Sequence, residues 1–192
     1  MSASATYCKE SKRIIELNWN YVQVVRHLQW QGRGNELGDV LNLAAEEALT
    51  LSGMDQQSLN ELLETRATAL FSIDLSASEL TQAVEERIAR QRTPLAGMVT
   101  HHAALLALAD SPARSFIKAV LTEVQQWSAF STNTAYRFVI SQALVNQIGE
   151  LDTAGIIKLA QSSSTVLKPR FNLAQLSALG RTGLVPAGLL FD

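Results

Sequence analysis

Placing Met54-Asp55 on Leu151-Asp152 carries the chain onto itself with a constant shift of 97 residues, and few sequence features restrict a fold as tightly as an internal repeat. The shift sets Leu59 on Ile156, Leu62 on Leu159, Thr68 on Thr165 and Leu70 on Leu167. It is about half of the 192 residues. Further on, PLAGMV at Pro94–Val99 finds a shorter echo in PAGLLF at Pro186–Phe191. The identities are few; the recurring feature is an order of cap, helix, strand, cap and helix. Helices rich in alanine and leucine also resemble one another by chance, so unrelated topologies on the two sides of Asp110 would reject the repeat. The expected organisation is a first module over residues 1–110 and a second over 111–192, truncated in its last helix.

Periodicity supplies the elements. Ile14, Leu17, Tyr21, Val25 and Leu28 recur at three- and four-residue steps, one face of an amphipathic helix that Gly32 and Gly34 stop. Leu37, Leu41, Ala44, Ala48 and Leu51 continue the spacing and predict one second helix ending before Gly53. Asp55 is a natural N-cap for a short third helix with Leu59, Leu62 and Leu63 on its apolar side. Ala69, Phe71, Ile73 and Leu75 then alternate with Leu70, Ser72 and Asp74 in the two-residue rhythm of a strand. Ser76 and Glu79 fit a capping box for a helix to about Arg90, and Thr93-Pro94 opens another through His101 to Leu108. After the break at Asp110-Ser111-Pro112 the order returns. A helix through Phe116, Val120, Val124 and Trp127 comes first, a second runs through Tyr136 to Leu144 and stops at Gly149, and a third is capped by Asp152. Residues 166–171 are again strand-like, with Pro169 restricting them to an edge or a bulge, and Asn172 caps a brief helix to Leu179. The fold class is therefore mostly α, with one short strand in each half.

Apolar residues make up 47% and charged residues 18% of the chain, enough for a core and too little charge for a disordered tail. The formal charge of -2 draws the chain neither to nucleic acid nor to an anionic membrane, so any DNA contact has to be local or shared with a basic partner. The single cysteine, Cys8, has no partner for an intramolecular disulfide and fits a reducing cytoplasm. Met1–Glu10 lacks the apolar stretch of a secretory signal, and no apolar run reaches the ~18 residues that span a bilayer. His27, His101 and His102 lack metal-ligand spacing: neighbours on a helix point about 100° apart and cannot chelate together. Gly32-Arg33-Gly34 falls short of a phosphate-binding loop, and no serine stands in a nucleophile elbow, so a non-catalytic protein is expected.

The residues themselves resemble a family. ELNWNYVQVVRHLQW, Glu16–Trp30, resembles the first helix of FlhD, a subunit of the bacterial FlhDC transcription activator, in its Asn-x-x-Tyr followed by Arg/His-Leu. AEEALTLSGMDQQSLNELL, Ala45–Leu63, is similar to the family's paired acids and following helix. In the second half YRFVI at Tyr136–Ile140 and LDTAGIIKLAQSSSTVLKPRF at Leu151–Phe171 look closer still, and PLAGMV resembles the start of the family's final helix. The resemblance implies two FlhD-like modules fused into a pseudo-dimer. It also implies an FlhC-like partner that carries the zinc, none being expected in this chain, and a hetero-oligomer that engages promoter DNA and RNA polymerase, without a membrane. Family members can carry a subunit-linking cysteine in the strand, where this chain has Leu70 and Leu167. One polypeptide already holds its halves at high effective concentration, so the covalent join would replace self-association of that kind.

Two groups of cations are the candidate DNA contacts: Arg87, Arg90 and Arg92 at the end of the helix begun by Ser76, and Lys168, Arg170 and Arg181 in the related region of the second half. Such side chains neutralise phosphates without reading sequence, although cations also gather at helix C-termini because the dipole favours them. The connection between the Asp55 and Ser76 helices is too long for a helix-turn-helix. Trp19, Trp30 and Trp127 sit on apolar stripes and are expected in a core or an interface. A helical adaptor or anti-activator that binds protein and never DNA is the alternative function.

Overall fold

The computed structural model describes residues 3–64, 68–92, 111–171 and 174. Its chain is mostly helical, with one small two-stranded sheet, and divides into two units. One comprises residues 1–72 and 168–192, the other residues 73–167. The module boundary expected at Asp110, the helix expected after Pro94 and the helix expected after Asn172 lie outside the described residues.

In the first unit, α1 (Ala3–Trp30) is followed by α2 (Gly34–Asp39), α3 (Ala45–Gly53) and α4 (Gln56–Glu64). α1 begins well before the periodic stripe, and Ile14, Leu17, Tyr21, Val25 and Leu28, the predicted face, are all buried. It packs against α2, α3 and α4. Tyr21 sits wholly inside, its ring 5.1 Å from Phe71 and 6.4 Å from Phe171. Burial, and after it the nearby Glu47 carboxylate, push its phenol pKa up.

Two polar side chains of α1 satisfy backbone that would otherwise be buried unpaired. The buried Asn18 amide donates to the Thr68 carbonyl at 3.1 Å and accepts from the Leu70 N–H at 2.8 Å, holding the approach to the strand as a neighbouring strand would. Arg26 closes the C-terminus of α3, donating from Nε to the Ser52 carbonyl at 3.1 Å and from Nη2 to the Met54 carbonyl at 2.7 Å.

The single second helix expected over Leu37–Leu51 is corrected to two, because Asn42 turns left-handed at φ 49° between α2 and α3. Asparagine tolerates that conformation, and the turn is closed by the Leu43 N–H donating to the Leu37 carbonyl. Asp55 caps α4 as expected, accepting from the Ser58 N–H at 2.9 Å.

The second unit holds five helices among the described residues. α5 (Ala77–Arg92) comes first, then α6 (Pro112–Ser128), α7 (Thr134–Phe138), α8 (Gln142–Gly149) and α9 (Thr153–Gln161). α6 packs against α7, α8 and α9 as α1 does against α2, α3 and α4, with Phe116, Val120, Val124 and Trp127 buried. Ser111 caps it by accepting from the Arg114 N–H, with Pro112 in the first turn. The helix expected over Tyr136–Leu144 is also two, broken at Val139 with φ 52°, 97 residues after Asn42. Asp152 caps α9 by accepting from the Gly155 N–H at 2.8 Å, 97 residues after Asp55 and Ser58. Arg114 donates to the Ser162 and Thr165 carbonyls at 2.5 and 2.7 Å, and Gln125 to the Leu151 carbonyl. Under the same shift Thr165 and Leu151 fall on Thr68 and Met54, whose carbonyls Asn18 and Arg26 hold in the first unit.

The predicted strands are β1 (Phe71–Asp74) and β2 (Val166–Pro169), and they pair. Pro169 is admissible because a two-stranded ribbon has only edges. β1 carries the chain from the first unit into the second and β2 carries it back, so the segment beyond each strand belongs to the other unit: α5 after β1, and residues 170–171 after β2.

Candidate functional site

α5 presents Arg87, Arg90 and Arg92 on a helix that also carries Glu79, Glu85 and Glu86, so the helix has no net charge of its own. Three contacts run from α5 to the neighbouring helix and the turn after it. Arg90 grips the Asp152 carboxylate through Nη2 at 2.8 Å and Nε at 3.1 Å. Lys158 donates to Glu86 at 2.5 Å, and Glu79 accepts from Ser162 at 2.5 Å and from Ser164. Glu79 is thus bound to the turn after α9 instead of closing a capping box with Ser76, whose hydroxyl lies 2.8 Å from that of Ser78.

These contacts set the titration of the acids. Hydrogen bonds from Ser162 and Ser164 hold the Glu79 carboxyl below its usual range, and the bond from Lys158 does the same for Glu86. Burial raises Asp152, but Arg90 and the Gly155 N–H together outweigh it and leave its pKa lowered.

Of the six candidate cations, Arg90 is therefore engaged within its own unit. Arg87 is half-buried and Arg92 exposed, and neither forms a hydrogen bond or ion pair among the described residues. Lys168, exposed on β2, and Arg170 belong to the first unit. Arg170 donates its backbone N–H to the Leu70 carbonyl at 2.8 Å, with Nη1 3.4 Å from both Thr68 Oγ1 and the Ala69 carbonyl. Arg181 lies outside the described residues. Residues 87, 90 and 92 share one helix, and 168 and 170 one short segment.

Trp127 is buried with its ring 5.5 Å from Phe138, whereas Trp30, expected in a core or interface, is 84% exposed and stands 6.4 Å from the His27 ring. The second unit exposes Phe130, Tyr136 and Val139. Between Trp127 and Gly149 the one charged residue is Arg137, which is fully buried. That depletion is visible in the sequence once charge is counted locally instead of over the whole chain.

Among the described residues no group of three or more His, Cys, Asp or Glu could hold a metal ion, and no helix is long and apolar enough to cross a membrane. In comparisons with protein-family models, curated proteins and solved structures, nothing matches this chain.

Proposed function

We propose that this chain is a non-catalytic, cytoplasmic subunit of a transcription activator, built from two FlhD-like modules joined as a single-chain pseudo-dimer. It acts with an FlhC-like partner that carries the zinc and much of the DNA contact, and the complex engages promoter DNA and RNA polymerase. The observation that carries this reading is recurrence at one spacing: left-handed corners at Asn42 and Val139, caps at Asp55 and Asp152, and long helices that hold the backbone at Thr68 and Thr165. The exchange of segments after β1 and β2 is the connectivity expected of two modules that once swapped those segments as separate chains. Arg87, Arg92, Lys168, Arg170 and Arg181 are the proposed phosphate contacts, with Arg90 contributing by fixing α5.

One observation favours the second reading, a helical adaptor or anti-activator: α5 has no net charge and its central arginine is tied to Asp152. A gel-shift titration with candidate promoter DNA separates the two. An activator subunit strengthens or reshapes the complex formed by the FlhC-like protein; an anti-activator dissolves it. DNA binding by the partner that is indifferent to this chain rejects both.

A further inference from the structure

α5 is held in two different ways along its length. Over the first half the grip includes buried apolar side chains, Leu80 and Ala83, and Glu79 adds its hydrogen bonds from Ser162 and Ser164. Leu80, Val84 and Ile88 follow at four-residue steps, which places them on one face of the helix. Burial fades along that face. Leu80 is buried, Val84 half-buried and Ile88 43% exposed. From Val84 to Arg92 no residue of α5 is buried, whereas in α9, the helix against which α5 packs, Gly155, Ile156, Ile157, Leu159 and Ala160 all are.

Charge holds the second half. Arg90 donates twice to the Asp152 carboxylate, at 2.8 and 3.1 Å, and Lys158 donates to Glu86 at 2.5 Å. Asp152 and Lys158 are the charged groups that α9 and its cap present, and α8, which also packs against α5, carries none. The four side chains of these two pairs are 29–42% exposed, so the pairs are modest in strength and open to screening. Segments with few buried apolar contacts are the ones that open while the rest of a structure stays folded. When Arg90 leaves, Asp152 still accepts from the Gly155 N–H, so α9 keeps its cap.

We infer that Val84–Arg92 is a releasable arm, closed on α9 by the Arg90–Asp152 and Lys158–Glu86 pairs and opened by ionic competition while Leu80 and Ala83 keep the first half of α5 in place. Opening changes the surface in two respects. It adds Arg90 to Arg87 and Arg92 as a cation without a protein partner, and it frees the Val84 side of the helix. The arm works in this way whether or not the chain touches DNA.

Hydrogen exchange of the full chain, read on peptides from α5, α6 and α9, tests it in dilute buffer and in 1 M sodium chloride, where the Debye length falls to ~3 Å. The arm should exchange faster than α6 and α9 in dilute buffer, and about fivefold faster again in high salt. Arg90→Met and Lys158→Met keep the aliphatic stems and remove the charges. The first should accelerate exchange in the arm about five- to tenfold and the second about two- to fivefold, with α6 unchanged. Salt should have little further effect on the double variant. Exchange that accelerates in α5, α6 and α9 together overturns the inference, because α5 then opens only with its whole unit. An arm indifferent to salt and to both variants overturns it as well, since apolar contacts then hold the second half. Fast exchange confined to the last turn of α5 and unchanged by either variant is fraying of a helix end, and this too overturns it.

Discussion

Arg90 is the residue where a nucleic-acid reading and a structural reading of the same side chain separate, and a double-mutant cycle tells them apart. The perturbations are Arg90→Ala, Asp152→Asn and the pair, asparagine being chosen because its amide oxygen still caps the Gly155 N–H. Arg90 makes two charge-assisted hydrogen bonds to Asp152, with side chains 29% and 37% exposed. Exposed pairs couple by about 0.2–1 kcal/mol, whereas breaking a buried one costs about 3–5, so a half-exposed bidentate pair should couple by about 1–1.5 kcal/mol. Glu86, 3.7 Å from Arg90, keeps Lys158 and adds little. Urea unfolding of the four proteins at pH 7 measures the coupling. The sign with pH is fixed by the lowered pKa of Asp152: the pair's contribution is complete above the ordinary aspartate range and disappears as pH falls through the lower folded value, so the coupling should vanish in strong acid. A coupling below about 0.3 kcal/mol at pH 7, or one that persists unchanged after the carboxylate is protonated, would refute the structural role of the Arg90–Asp152 pair and return Arg90 to the phosphate contacts.

The two left-handed corners should respond in opposite directions: Asn42→Val costs about 1–2 kcal/mol while Val139→Asn stabilises, a difference readable as melting shifts of about 2–4 °C per kcal/mol. Gly149→Ala places a methyl 2.9 Å from Ser128 Cβ, and closer still to its hydroxyl, so it should destabilise by about 1–3 kcal/mol. Gly53→Ala, with open space around it, should instead gain about 0.5–1 kcal/mol in the same denaturation assay. Asn18→Leu leaves the Thr68 carbonyl and the Leu70 N–H buried without their amide and should cost about 2–4 kcal/mol in chemical denaturation, a loss under 1 arguing that water or a neighbour replaces it.

Much of the architecture is legible because burial leaves a period. The α1 face, the caps at Asp55 and Asp152, and both strands emerge from spacing alone. The breaks at Asn42 and Val139 do not, since Leu37 to Leu51 keeps its three- and four-residue steps across the corner, and valine gives no turn signal. Trp30 fails for a related reason: it falls on the stripe, but at the end of α1 where the stripe has left the core. The cations are legible by number and position along the chain, whereas their roles depend on partners such as Asp152, 62 residues from Arg90, that no local pattern discloses.

The crossing at β1 and β2 has a consequence during synthesis. Phe171, whose ring lies 6.4 Å from Tyr21, comes after the whole second unit in the chain, so a ribosome has made α1 through β1 long before the residue that helps close their core exists. The first unit must wait with an apolar surface uncovered, a situation that slows folding and invites aggregation. Fragments released just before Lys168 should therefore keep a folded second unit beside an open first one.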